Sequence, residues 1–166
     1  MKAFLIFVFI LFFFGATAQV QSGAYDIILK TLLSHSVPEV SVVEIGNMKN
    51  IVWLDAREKE EYQVSHIANA TYVGYDDFSI ERLEHYEKSE KIVIYCSVGY
   101  RSEKIAEKLF KAGFSNVSNL YGGIFEWVNQ GKPIVDGASQ PTDNIHPFSN
   151  TWGIWLTKGN KVYAVK

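Results

Sequence analysis

Ile92-Val93-Ile94-Tyr95-Cys96-Ser97-Val98-Gly99-Tyr100-Arg101-Ser102 decides the fold and locates the chemistry, because it holds the only cysteine of the 166-residue chain. The run Ile92 to Tyr95 is apolar and β-branched and reads as a buried strand. From Ser102 the spacing turns helical, with Ile105, Ala106, Leu109 and Phe110 on one face and Gly113 as the stop. Cys96 therefore sits between strand and helix, where open α/β sheets keep their ligands. Ser97, Val98, Gly99 and Tyr100 form a turn short enough for backbone N–H groups to converge on the sulfur, and Gly99 supplies the positive φ such a turn needs. The helix opening at Ser102 adds unpaired N–H groups and the positive end of its dipole, both favouring a thiolate. Arg101 adds a permanent positive charge, so the loop suits a sulfur nucleophile and an anionic substrate. The competing reading, a small buried hydrophobe, does not call for a glycine, an arginine and a helix start within six residues.

Working outward, elements alternate: strand Ile51–Leu54, helix Glu58–Val64, strand Thr71–Val73, helix Ile80–Tyr86, strand Lys91–Tyr95, helix Ser102–Ala112, strand Val117–Leu120, helix Gly123–Gln130. Alternation of this kind predicts an α/β fold, a mainly parallel central sheet with helices on both faces.

The loop resembles that of the rhodanese (sulfurtransferase) family, and three further stretches extend the resemblance over about residues 38–135. Val52-Trp53-Leu54-Asp55-Ala56-Arg57-Glu58 resembles its D-x-R-x motif, and Ser65-His66-Ile67-Ala68-Asn69-Ala70 its G-H-I-x-G-A element. Asn119-Leu120-Tyr121-Gly122-Gly123-Ile124-Phe125-Glu126-Trp127, followed by Gly131-Lys132-Pro133-Ile134, resembles its closing L-x-G-G-x-x-x-W and G-x-P. Phosphatases and arsenate reductases of similar fold carry a longer C-x5-R loop. Here four residues separate Cys96 from Arg101, the sulfurtransferase spacing.

The resemblance implies a rhodanese-like fold and double displacement: Cys96 takes sulfane sulfur from a donor such as thiosulfate as a persulfide and passes it to a thiophilic acceptor. No metal or organic cofactor is implied. Arg101, Ser97, Val98, Gly99, Tyr100 and Ser102 are the expected substrate-binding residues, with Arg101 orienting the donor anion or the leaving sulfite. The alternative is an exported persulfide carrier or protein-interaction module with little turnover alone. Ser97 and Val98 stand where many thiosulfate-using members carry a basic residue, which favours this second reading. Ser65 and Asn69 replace glycines, a matter of turn geometry. Asp55 and Arg57 read as an ion-paired brace, or else as a pocket rim; His66 reads as a packed turn residue. His35, His85 and His146 show no metal-ligand spacing.

The expected organisation is a signal peptide over residues 1–18, a flanking helical segment over 19–37, the rhodanese-like domain over 38–135, and a loop with a C-terminal β-hairpin over 136–166. Lys2, the apolar run of residues 3–14 and the small-x-small end at Ala18 predict export to the periplasm or beyond, with no stable membrane anchor after cleavage. Removing residues 1–18 takes away one Lys and moves the formal charge from −2 to −3. Nothing basic points to nucleic acid. The expected partners are a small anionic sulfur donor and a protein that gives or accepts sulfur. Tyr25 to Leu33 is an amphipathic helix to be docked on the domain. The hairpin is expected from Thr151 to Leu156 and Lys161 to Val165 about a turn at Thr157 to Asn160. Its two tryptophans read as covering a sheet edge or adding to the core, with a pocket or partner surface as the alternative.

Overall fold

The computed structural model describes residues 20–163, so the expected signal peptide and the last residues of the expected hairpin lie outside the described residues. Its centre is a five-stranded, all-parallel sheet made of β1 (Glu39–Val40), β2 (Val52–Asp55), β3 (Thr71–Tyr72), β4 (Ile92–Tyr95) and β5 (Val117–Leu120), in the order β1-β5-β4-β2-β3. All four residues of the central strand β4 are buried, as a parallel strand covered on both faces requires. Ile92 and Ile94 pack with Leu54 into one apolar cluster, and Val93 and Tyr95 into the other. The pleat thus sends alternate side chains into two separate cores.

The helical elements are α1 (Gly23–Leu32), α2 (Val42–Ile45), α3 (Lys59–Val64), α4 (Tyr100–Lys111) and α5 (Gly123–Asn129). The buried face of α4, Ile105, Ala106 and Leu109, joins the first core; α1 and α5 supply the second through Tyr25, Leu29, Ile124 and Phe125. α4 stops in a Schellman arrangement: Phe114 N–H donates to the Leu109 carbonyl at 3.1 Å and Gly113 N–H to that of Phe110 at 3.0 Å. The docked N-terminal helix is present, capped by Ser22.

Three expectations change. α4 begins at Tyr100 rather than Ser102, because Gly99, at φ +117°, is already its N-cap. The expected helix at Ile80–Tyr86 is a 3-10 turn over Ile80–Leu83, in which Leu83 is the single buried side chain. With one anchoring contact there is no apolar stripe to hold a longer helix. The third change is at the C-terminus. A strand pair forms there, but between Asn144–Ile145 and Asn160–Lys161, in parallel, while Trp152–Trp155 is a 3-10 turn. Asn129 at the end of α5 explains the rearrangement. Its Oδ1 accepts from Thr157 N–H (2.8 Å) and Oγ1 (2.9 Å), and its Nδ2 donates to the Trp155 carbonyl (2.8 Å). Residues meant for a hairpin turn are instead drawn onto the helix, and Trp155 stacks on Tyr25 with ring centroids 5.4 Å apart. No helix among the described residues is long and apolar enough to cross a membrane.

Candidate active site

Cys96 follows β4 directly and is 1% exposed. Its Sγ accepts the Gly99 backbone N–H at 3.1 Å, at the N-terminus of a twelve-residue helix. The Gly99 N–H and the positive end of the helix dipole thus both face the sulfur. The turn is held from behind by four contacts. Asn119 Nδ2 donates to the Gly99 carbonyl (3.0 Å), Ser102 Oγ lies 2.7 Å from Asn119 Oδ1, and the N–H groups of Ile124 and Phe125 donate to the carbonyls of Cys96 (2.9 Å) and Ser97 (3.1 Å). Gly99 is thus held on both sides, its carbonyl by Asn119 and its N–H against the sulfur. The start of α5 lies so close to the loop that a Cβ on Gly123, at φ +58°, would fall 2.4 Å from the Cys96 carbonyl oxygen. This close approach is the structural reason for the glycine pair after Tyr121.

Arg101 is placed differently from expectation. Its side chain is 11% exposed and paired with Glu61, Nη1 to Oε2 at 2.7 Å and Nη2 to Oε1 at 2.9 Å, with Glu58 a further 3.6 Å away. Glu61 also accepts from Ser97 Oγ (3.0 Å) and from the Glu58 N–H (3.0 Å). Burial alone would push the Glu61 carboxyl up; the hydrogen bonds and charge of Arg101, then the charge of Arg57, outweigh it and hold it below the ordinary range. The expected free cation is thus spent in fastening α3 to the loop.

Asp55 and Arg57 take the brace role. Both are fully buried; Arg57 Nη2 donates to Asp55 Oδ2 at 2.7 Å and to the Ser65 carbonyl at 2.6 Å, tying the end of β2 to the Ser65–His66 turn. In that turn Ser65 is extended (φ −172°), which any residue adopts, and Asn69 takes the left-handed conformation (φ +63°) that Asn tolerates. His66 stacks on Tyr62 with centroids 3.8 Å apart and its Nδ1 lies 3.0 Å from the Tyr62 carbonyl oxygen. Burial pushes its imidazole down, and the ring is packed in the turn.

Above Cys96 opens a cleft of about 240 Å³, bounded by Ser97, Val98, Tyr100 and Arg101 of the loop and by Leu32, Phe148 and Trp152 from the flanking segments. The Phe148 ring lies over the Arg101 guanidinium, 4.7 Å from its centroid. A larger cavity of about 600 Å³ lies apart from the loop, between the end of α5 and the C-terminal segment, and Cys96 is not on its wall. Six of the expected residues, Cys96 to Arg101, are together at the cleft or its floor, while Ser102 supports the loop from within and Asp55 and Arg57 brace the neighbouring Ser65–His66 turn. Sequence reasoning missed Glu61, Asn119 and Phe148 as site residues, and gave Trp152 a pocket only as the alternative to covering a sheet edge or core. Glu61 had a signal, an acid three residues after Glu58 at a helix start; Phe148 had none, since its approach depends on the C-terminal rearrangement.

Comparison with known proteins supports this picture. Residues 41–130 match the rhodanese-like domain family. The curated relatives matched include tRNA uridine(34) hydroxylases of Yersinia pestis (31% identical) and Yersinia enterocolitica (36%), each over 106 residues, 60% of this chain and 30% of the relative. The chain thus spans about a third of the length of those relatives. Among solved structures, the thiosulfate sulfurtransferase of Pseudomonas aeruginosa superposes with a TM-score of 0.55 at 23% identity, covering 63% of this chain and 21% of that one. A rhodanese-like domain from Anabaena sp. superposes with a TM-score of 0.51 at 29% identity, covering 57% and 70%. With more than half its length matched in sequence, and with the parallel sheet and cysteine loop that the match implies, the chain belongs to the rhodanese-like domain family.

Proposed function

We propose that the protein is a sulfurtransferase working through a Cys96 persulfide. The observation that carries this reading is the Cys96 sulfur on the floor of an open cleft with the Gly99 N–H aimed at it. The thiolate attacks the outer sulfur of thiosulfate or a related donor. The S–S bond of the donor breaks, its electron pair leaves with sulfite, and the new sulfur remains as a persulfide anion on Cys96. A thiolate or cyanide acceptor then attacks the terminal sulfur, and the pair returns to Cys96 Sγ. The Gly99 N–H replaces water around whichever sulfur bears charge. The reaction needs no oxidant and no cofactor.

The engagement of Arg101 by Glu61 favours a second reading, a persulfide carrier that turns over slowly alone and exchanges sulfur with another protein. The hydroxylase activity named for the curated relatives belongs to proteins about three times as long as the matched segment. A chain of net charge −2 carries no overall positive charge to draw RNA. Export is part of the proposal, supported by Lys2, the apolar residues 3–14 and the small residues ending at Ala18.

Intact mass after exposure to thiosulfate, with a cyanide assay for thiocyanate, tests these readings. A gain of roughly 32 Da on wild type and not on Cys96→Ser, discharged by cyanide with turnover, is the expected result. A charged protein that discharges slowly supports the carrier. No mass gain with thiosulfate, polysulfide or organic persulfides refutes both.

A further inference from the structure

The cleft above Cys96 has two origins. The nucleophile and its N–H donor come from the loop, but the walls at Leu32, Phe148 and Trp152 lie outside the matched residues 41–130. These three side chains, with Val98 and Tyr100, present carbon to the sulfur. The one cation among the described residues of the site, Arg101, is held by Glu61 and neighboured by Glu58; one guanidinium against two carboxylates leaves a dianion such as thiosulfate without a counter-charge. At about 240 Å³, the space exceeds the roughly 150 Å³ in which an apolar cavity accommodates benzene.

We propose that this cleft selects sulfur donors by an apolar body on the leaving group, up to the size of one aromatic ring, over inorganic thiosulfate. The inference rests on the persulfide reading for its chemistry and on the cleft walls for its selectivity. In the step, Cys96 Sγ bonds to the outer sulfur of R–SO2–S⁻ or R–S–S⁻. The bond between that sulfur and the R-bearing sulfur breaks, and its electron pair leaves as R–SO2⁻ or as R–S⁻, which takes a proton from water. The R group lies against Phe148 and Trp152 while the outer sulfur meets the Gly99 N–H.

The test compares three donors, thiosulfate, methanethiosulfonate and benzenethiosulfonate, the last two sharing charge and leaving-group chemistry and differing only in the body. The kcat/KM for benzenethiosulfonate is expected to exceed that for methanethiosulfonate by at least about tenfold, the scale on which apolar pockets discriminate, with thiosulfate the poorest. Phe148→Ala and Trp152→Ala bring the benzene-to-methane ratio towards one, and the partly exposed Phe148 makes the first a safe substitution for folding. Ile154→Ala, at an exposed residue off the cleft, keeps the wild-type ratio. A ratio near one in wild type, or one unchanged in both cleft variants, overturns the proposal. A calorimetric arm separates it from the persulfide reading: benzenesulfonate should bind Cys96→Ser protein at least about tenfold tighter than methanesulfonate, a preference lost in Cys96→Ser/Phe148→Ala. If no donor loads Cys96 and this preference holds, sulfur transfer falls and the selectivity of the cleft stands. If the preference is also absent, the selectivity falls with it.

Discussion

Glu61→Gln is the most searching perturbation of the site, because one carboxylate, 3% exposed, collects four donors: both Arg101 terminal nitrogens (2.7 and 2.9 Å), Ser97 Oγ (3.0 Å) and the Glu58 N–H (3.0 Å). The substitution keeps the size of the side chain and removes its charge. It also turns one acceptor oxygen into an NH2 that faces donors. Breaking a buried ion pair by neutralising one partner costs about 3–5 kcal/mol. Arg101 retains slight exposure and Glu58 at 3.6 Å, so about 3 kcal/mol is expected. At roughly 2–4 °C per kcal/mol for a chain near this size, Tm falls by about 6–12 °C in a calorimetric scan. A double-mutant cycle with Arg101→Met isolates the pair: once the guanidinium is gone, Glu61→Gln should cost at least about 1 kcal/mol less. A fall of under about 2 °C, or additivity within about 0.5 kcal/mol, would refute the reasoning that Arg101 is a fastening of the loop rather than a free cation at its mouth.

The same carboxylate has a pH signature. Its depressed titration contributes stability that is present above the ordinary Glu value of about 4.3 and is lost as pH falls below it through the folded-state value; the Tm gap between wild type and Glu61→Gln should therefore close between pH 5 and acid, and a constant gap would contradict the assignment. Gly123→Ala drives a Cβ to 2.4 Å from the Cys96 carbonyl oxygen and 2.6 Å from that of Ser97, so it should displace the loop, cost about 2 kcal/mol or more and slow persulfide loading at least about tenfold, read by quenched-time mass spectrometry. Asn129→Ala strips three contacts of 2.8–2.9 Å from the C-terminal segment and should cost about 1–3 kcal/mol; limited proteolysis should then cut within residues 136–163 ahead of the sheet. Arg57→Met leaves Asp55 buried without its cation and should destabilise by about 3–5 kcal/mol, measured by urea denaturation, with wild-type-like unfolding refuting the brace.

The sheet was legible because β4 and its neighbours carry local, one-dimensional signals: apolar β-branched runs, helical spacing, and the Gly99 and Gly113 punctuation. The place of Cys96 between strand and helix was legible for the same reason. β1 and α2, at Glu39–Val40 and Val42–Ile45, escaped notice because strands and helices of two and four residues carry too few positions to show a period. The fate of Arg101 was not legible, since its partner Glu61 lies 40 residues away and nothing in C-S-V-G-Y-R-S tells whether a guanidinium faces substrate or a neighbouring helix. The C-terminal segment misled for a physical reason. Thr157 to Asn160 has the composition of a hairpin turn, but Asn129 offers its donors a better-placed acceptor, and tertiary bonding prevailed over local propensity.

These differences divide the labour of the molecule. On the persulfide reading, residues 41–130 would hold the sulfur nucleophile by means that are almost wholly backbone: an N–H from Gly99, a carbonyl pinned by Asn119, and the start of α5 seated against the loop. Backbone devices of this kind stabilise a charged sulfur whatever the donor, so they carry the reaction and say little about its substrate. Selectivity has to come from side chains that touch the rest of the donor. Here the charged one is committed to Glu61, and the apolar ones arrive from α1 and from the segment that Asn129 ties to the end of α5. The flanks are therefore where a change of sequence would alter the donor while leaving persulfide formation intact, and Phe148 and Trp152 are the positions at which to make it.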